Sequence, residues 1–315
     1  MTHSETWQPY IYLHSTESTQ KVLEKIYKKR FGSLASEMSY RNSCSFMYYL
    51  LHAESFYKQA GEAPLAIKPV LFFYGLTQLV KASILTEDPG YPETTSVLAH
   101  GVTTRKKKKQ DYLFLKDEVR LQKNGLFHHA AQTLFKLKEL DKERYTMEML
   151  LRRIPEMGNC FNMLRNGKSL FSLQEDEESL FLPSEAAVAY HITDRRLGET
   201  IEHLTGMKAV CSPGETKLMK QENLSPFSTA LLSYSLEKKE YFLPAEKEQL
   251  FIMPELLTHY LLLYNLSMIS RYETEWWYDL IQSRSSNDYI YISTFMEISS
   301  RKIPELIWMF LSERM

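Results

Sequence analysis

Glycine and proline are both scarce, 11 and 12 residues in a chain of 315. An all-β fold needs many tight turns, so this shortage points to helices. Cysteine is scarcer still. Cys44, Cys160 and Cys211 are odd in number and far apart, which excludes a disulfide framework and suits a reducing compartment. Charge of one sign is missing too: the net charge is −1, so no global basic field draws in nucleic acid. The opening "MTHSETWQPY" has no basic start followed by an apolar stretch, unlike a signal peptide. The longest apolar runs, near 70–85 and 256–269, read as too short to cross a bilayer and are interrupted by Lys81, His259 and Asn265. The expectation is a soluble cytoplasmic protein with no membrane partner. Catalytic signatures are absent as well: there is no G-x-S-x-G, H-E-x-x-H or C-x-x-C. The nine histidines are scattered, and His128 and His129, being adjacent, would point about 100° apart on a helix. No metal and no cofactor is expected.

What the chain does have is aromatic residues, 13% of the total, and these need a large core or an interface to bury them. "STESTQ" supplies N-caps for a helix over 15–31. Phe46, Leu50, Ala53 and Tyr57 form the stripe of a helix near 41–60. Pro69 suits the first turn of a helix near 66–85 that is apolar on nearly all faces, hence central. Residues 86–126 read as a loop-rich insert with one short strand near 112–115 and a turn at Gly125. Two weakly amphipathic helical stretches occupy 127–153, the charged segment 165–183 reads as a surface connection, and helix resumes over 184–205. Residues 230–244 alternate as a strand or hairpin about Lys238–Lys239. Pro254 opens a helix near 254–272, and Pro304 reads as a second proline-started helix. No repeat or linker divides the chain, so one multi-helical domain over 1–315 is expected.

Three stretches imitate or offer chemistry. "NMLRNGKS", 162–169, departs from a P-loop only at Asn162, but a P-loop needs a strand before it and a helix after it. The run Arg105–Lys109 belongs to a segment, 105–123, with eight basic and three acidic residues. Arg105, Lys106 and Lys107 could contact phosphates there, with Tyr112 and Phe114 near enough to stack on bases. His100, beside Gly101 in a loop, is available for proton transfer. The stretch "SMISRYETEWWYD", 267–279, puts Arg271 at the end of an apolar helix ahead of Trp276 and Trp277. Its plainest reading is a helix end, with Arg271 favoured by the helix dipole and paired to Glu273 or Glu275.

"RNSCSFMYYLLHAESFYKQAGEAPLAIKPVLFFYGLTQLVKASIL", 41–85, and "FIMPELLTHYLLLYNLSMISRYETEWW", 251–277, resemble the two signatures of the YaaC-like proteins, and "AHGV" (99–102) and "NGLF" (124–127) resemble further landmarks of that family. The resemblance implies a fold and no activity. The helical pair also resembles HEPN-type domains, helical bundles that often dimerise and in which an Arg-x4-6-His motif on a late helix cuts RNA. Here Arg271 is followed after four residues by Trp276, and an indole is neither acid nor base at neutral pH. Arg196 and His203 meet the spacing away from the late helix and read as accidental.

The resulting expectation is a mainly α protein: a multi-helical bundle with a HEPN-like core and a small β hairpin or short strands, with a homodimer among its expected partners. Its expected role is a non-catalytic binding module for a protein partner or a nucleotide or RNA ligand, and no reader of DNA sequence. The expected contacts are Arg271, Trp276, His100, Arg105, Lys106 and Lys107. The alternative is an RNA- or nucleotide-processing enzyme in which Arg271 works with a base such as His100 or His259. Within one helix His259 lies about 18 Å from Arg271 along the axis, too far for a direct pair. An Arg271 buried in salt bridges would end the site reading; an Arg271 that lines one open cleft with a histidine would strengthen the enzyme reading.

Overall fold

The computed structural model describes residues 3–104, 112–165, 167–212 and 214–315. Helix predominates, with short antiparallel sheets. The chain forms two compact units: Met1–Glu139 together with His259–Met315, and Leu140–Thr258.

The helical unit begins with α1 (His3–Trp7) and α2 (Thr16–Phe31). Ser15 caps α2 by accepting from Ser18 N at 3.2 Å. Then follow α3 (Ala35–Glu62) and α4 (Lys68–Glu87). These two are antiparallel. Asn42, near the start of α3, donates to Pro89 O just past the end of α4, while Tyr57, near the end of α3, packs on Phe72 near the start of α4. Gly75 makes the close approach possible, since a Cβ there would sit 2.6 Å from the Tyr57 ring. By length and composition α4 would suffice to cross a membrane, longer than the apolar run suggested, and 72% of its apolar window is buried inside the protein.

After α4, β1 (Val102–Thr104) pairs antiparallel with β2 (Glu118–Leu121), Val102 opposite Leu121. The strand expected at 112–115 is instead a 3-10 turn, Phe114–Lys116. Phe114 and Leu115 are both buried, which no period-2 strand facing one core allows, and Asp288 accepts from Phe114 N at 3.0 Å. Gly101 and Gly125 cross at φ +77° and +124°, so close that a Cβ on Gly125 would lie 2.4 Å from Gly101 Cα. The turn expected at Gly125 thus serves a backbone crossing, and α5 (Leu126–Phe135) starts from it.

The second unit contains β3 (Arg144–Thr146), α6 (Met147–Leu151), α7 (Gly158–Arg165), β4 (Leu170–Glu175), β5 (Ser179–Leu182), α8 (Ser184–Ala189), α9 (Asp194–Thr205), β6 (Ala209–Ser212), β7 (Glu215–Met219), β8 (Ser233–Ser235) and β9 (Glu240–Pro244). Six of the strands form one sheet in the order β6-β7-β5-β4-β9-β8, antiparallel throughout. Leu173, Leu180, Leu218 and Leu243 on the sheet pack with Ala186, Leu197 and Ile201 of α8 and α9. The surface connection expected over 165–183 is mostly the β4–β5 hairpin. Its acids gather at the turn, where Asp176 accepts from Glu178 N and Ser179 N, and Lys220 pairs with Glu175 at 2.7 Å. The hairpin expected about Lys238–Lys239 is β8–β9, with Lys239 at φ 57°. Arg153, 2% exposed, donates to the carbonyls of Ala230, Leu231, Gln249 and Phe251 at 2.9–3.0 Å and to Met253 O at 3.3 Å. Burial pulls its guanidinium down to about 10, and the Glu255 carboxylate opposes the shift.

The chain closes with α10 (Glu255–Tyr272), α11 (Thr274–Ser283) and α12 (Asp288–Ser312). Pro304 lies inside α12 and does not start a helix. A proline forfeits one helical hydrogen bond, and burial carries the helix past it: Phe295, Ile303, Ile307 and Phe310 are fully buried, and Tyr10 donates to Pro304 O at 2.6 Å. Trp277 is fully buried, its indole donating to Ala66 O at 2.8 Å.

Candidate functional site

Two helices of the helical unit each present a tyrosine and a cation seven residues apart, on one face two turns along. On α4 these are Tyr74 and Lys81; on α10 they are Tyr264 and Arg271. Phe73 of α4 joins the two helices, its ring 5.2 Å from Tyr260 and 5.5 Å from Tyr264. The connection after α4 brings His100 to the same place. Tyr260 donates to His100 O at 3.0 Å, Phe127 N to the same oxygen at 3.2 Å, and Leu126 N to Ala99 O at 2.7 Å. The imidazole thus leaves a pinned backbone and meets Phe73, Tyr74 and Tyr264 edge-on or tilted, at 4.9–6.2 Å.

The electrostatics of this group are one-sided. Burial lowers the His100 pKa below its usual range, and the positive charges of Arg271 and then Lys81 lower it further. Burial lowers the Lys81 ammonium too; it lies 5.7 Å from the Tyr49 ring centre. The Tyr264 phenol is raised by burial, with Arg271 acting against the rise. Among the described residues no carboxylate forms an ion pair with Lys81, His100 or Arg271. Arg271 instead turns back on its own helix, Nε donating to Ser267 O at 3.0 Å and Nη2 lying 3.1 Å from Met268 Sδ, with Tyr272 beneath the guanidinium at 5.3 Å. The expected pairing with Glu273 or Glu275 is not formed. The side chain satisfies a helix carbonyl, and among the described residues no acid compensates its charge.

The structure therefore brings together two of the residues expected from sequence, Arg271 and His100, and adds Lys81, Tyr74 and Tyr264. Trp276 is half-buried on α11 with its ring perpendicular to that of Tyr112, centroids 4.6 Å apart, and no hydrogen bond or ring contact joins it to Arg271 among the described residues. Arg105, Lys106 and Lys107 lie outside the described residues. His259 is in the core, Nδ1 3.0 Å from Ser299 Oγ. His129 pairs with Asp88 at 3.2 Å and stacks on Tyr91. Arg196 engages Glu199 at 3.2 Å. The P-loop imitation has its elements reversed: α7 runs into it as far as Arg165, and β4 follows it. Among the described residues no three His, Cys, Asp or Glu side chains gather as a metal site. Lys81 was legible as the one charge in the apolar run of α4, and the repeat of Tyr and cation at spacing seven on two helices was the signal for the rest.

Compared with known proteins, the chain matches the family model described as YaaC-like Protein over residues 11–311. No curated protein and no solved structure matches it.

Proposed function

We propose that this chain, which belongs to the YaaC-like family, binds a phosphate-bearing ligand of the nucleotide class at Lys81, His100 and Arg271. The observation that carries the reading is the convergence of three nitrogen bases with no acid among them. Half-buried like charges repel, and a carboxylate partner would be the usual remedy. An anion from outside supplies it instead: Arg271 offers a planar fork and Lys81 a point charge for phosphoryl oxygens. Tyr74 and Tyr264 provide rings on which a base can lie. Tyr91 is 5% exposed, and its hydroxyl has no hydrogen-bond partner among the described residues.

The antiparallel pair α3–α4 with α10 laid against α4 is, in this reading, a HEPN-like core. Arg271 keeps the arginine's place, while the histidine comes from the loop at 100 and not from the position of Trp276. A second reading follows from one feature of His100. Its lowered pKa leaves it neutral near pH 7, the form a general base needs, beside an arginine able to hold phosphate. Binding is the primary reading because no nucleophile is placed with His100 among the described residues.

The test is a thermal-shift titration of the full chain with nucleoside mono- and diphosphates near pH 7. Ligand at about 100 times Kd stabilises by roughly 2.7 kcal/mol, a shift of several degrees. Arg271→Ala should keep the unliganded melting temperature within about two degrees and lose the shift. A wild-type chain whose melting point no nucleotide or inorganic phosphate moves overturns the reading. Release of product under the same conditions, lost in His100→Gln with binding retained, would establish the catalytic version.

A further inference from the structure

We infer that the outer face of α3 is the surface through which two copies of this chain pair, their α3 helices lying antiparallel across a two-fold axis. The inference does not depend on the phosphate reading. A 28-residue helix with one face in the core usually turns charged residues to water on the other. The outer face of α3 does not. Between Arg41 and Lys58 its exposed residues are Cys44, Ser45, Tyr48, His52 and Ser55, with no acid, lysine or arginine among them. Tyr40 is 74% exposed and Tyr48 59%, two large rings about two turns apart on one side of the helix. Large rings held in water along an uncharged strip mark a contact surface, because an aromatic ring gives much burial for few lost rotamers.

Size and charge along the strip select a second copy as its occupant. An antiparallel pair centred between Met47 and Tyr48 sets Tyr40 level with Ser55 of the other copy and Cys44 level with Leu51, so a larger side chain meets a smaller one each time. The same register sets Glu37 level with Lys58 and Arg41 level with Glu54, at both ends by symmetry. Glu37 and Lys58 are exposed and have no ion-pair partner among the described residues. Glu54 pairs with His14 at 3.3 Å, and Arg41 donates to Pro89 O at 3.4 Å. A slip of one helical turn either way undoes the match. In one direction Glu37 faces Glu62 and Arg41 faces Lys58; in the other Glu37 faces Glu54. The strip is therefore complementary to itself in one register, as a contact between identical chains requires. Four tyrosines over about 30 Å of helix bury on the order of 1,000 Å² in total, the low end for specific pairs, so the dimer dissociates in the micromolar range.

The experiment is sedimentation velocity of the full-length chain over a series from about 1 to 100 μM, across which the wild type should pass from monomer to dimer. Tyr48→Asp should stay monomeric throughout, with a melting temperature at the lowest concentration within about two degrees of wild type, because the residue is exposed in the single chain. Glu37→Lys alone and Lys58→Glu alone should each weaken the dimer about tenfold, and the two together should restore it to within about threefold. Leu51→Cys should cross-link to Cys44 of the other copy under mild oxidant, and Cys44→Ser should abolish that cross-link. In the wild type the two Cys44 residues lie about 10 Å apart along the axis, too far for a disulfide, and should stay reduced. A chain that is monomeric at every concentration overturns the inference. So does a dimer that Tyr48→Asp and the charge exchange leave unchanged, since the contact would then lie on another face.

Discussion

At the scale of single residues, the informative property of Lys81, His100 and Arg271 is what they lack. Each is partly withdrawn from water, and among the described residues none has an acid to offset it. Protonating His100 is therefore harder in the folded chain than in the unfolded one. The sign of the pH effect follows: where the unfolded chain binds the proton and the folded chain does not, stability falls as pH falls. Above the ordinary histidine pKa of about 6.5 there is no loss; below it the loss grows until the lower, folded pKa is passed. Urea melts between pH 7.5 and 5 should show His100→Gln losing less stability than wild type over that interval, and equal acid sensitivity would refute the assignment. A bound phosphate reverses the sign, since it favours the imidazolium, so affinity should rise from pH 7.5 to pH 6. Lys81→Met should bind phosphate-bearing ligand more than tenfold less tightly while melting at or above the wild-type temperature, because a half-buried ammonium is replaced by an apolar side chain of similar length.

At the scale of elements, Gly75 is a sharp test of the helical hairpin. A methyl group there meets the Tyr57 ring at 2.6 Å and Phe56 Cβ at 3.2 Å, and Tyr57 is fully buried, with little room to retreat. Gly75→Ala should cost about 1–3 kcal/mol through overpacking, against the gain of a few tenths to one that the same change gives in an open helix; denaturant melts measure the sign. The long helices were legible because their residues speak twice, once as propensity and once as stripe: Phe46, Leu50, Ala53 and Tyr57 in α3, and the proline before α10. The β4–β5 hairpin was not, because Glu175–Glu178 dominates the composition of its segment while the alternation of its strands is short. Pro304 was misread for a related reason. A local rule marks proline as a start, and only the buried face of α12, supplied from elsewhere in the chain, carries the helix through it. The site was half legible. Arg271 and His100 stand out as unusual residues at a helix end and beside a glycine, but their meeting depends on α4, α10 and the 99–101 loop packing together, and no periodicity encodes that.

At the scale of the whole chain, its two units are differently built. The helical unit depends on large apolar surfaces of α3, α4, α10 and α12, whereas the second unit combines the apolar core under its sheet with a buried arginine that ties two loop segments together. Arg153 reaches carbonyls at 230–231 and at 249–253, the segments on either side of the β8–β9 hairpin. Arg153→Met should therefore cost the second unit about 3–5 kcal/mol, since it strands buried carbonyls and the nearby Glu255 charge. Hydrogen exchange should show the loss at backbone amides of 229–253, including Met253, whose N–H donates to Ala230 O at 2.8 Å.

The division of the helical unit between Met1–Glu139 and His259–Met315 has a consequence for the order of events at synthesis. The N-terminal helices leave the ribosome early, with α4 apolar nearly all round, yet Tyr260, Tyr264 and the α12 face that pack in this unit are made last. At about 5–20 residues per second the final segment takes roughly 3–11 s to appear after the second unit's sequence is complete. For that interval the nascent chain holds the α3–α4 hairpin without its cover, while residues 140–258 already have all their own strands. Arg271 is made within this interval, and the proposed phosphate site cannot assemble before it.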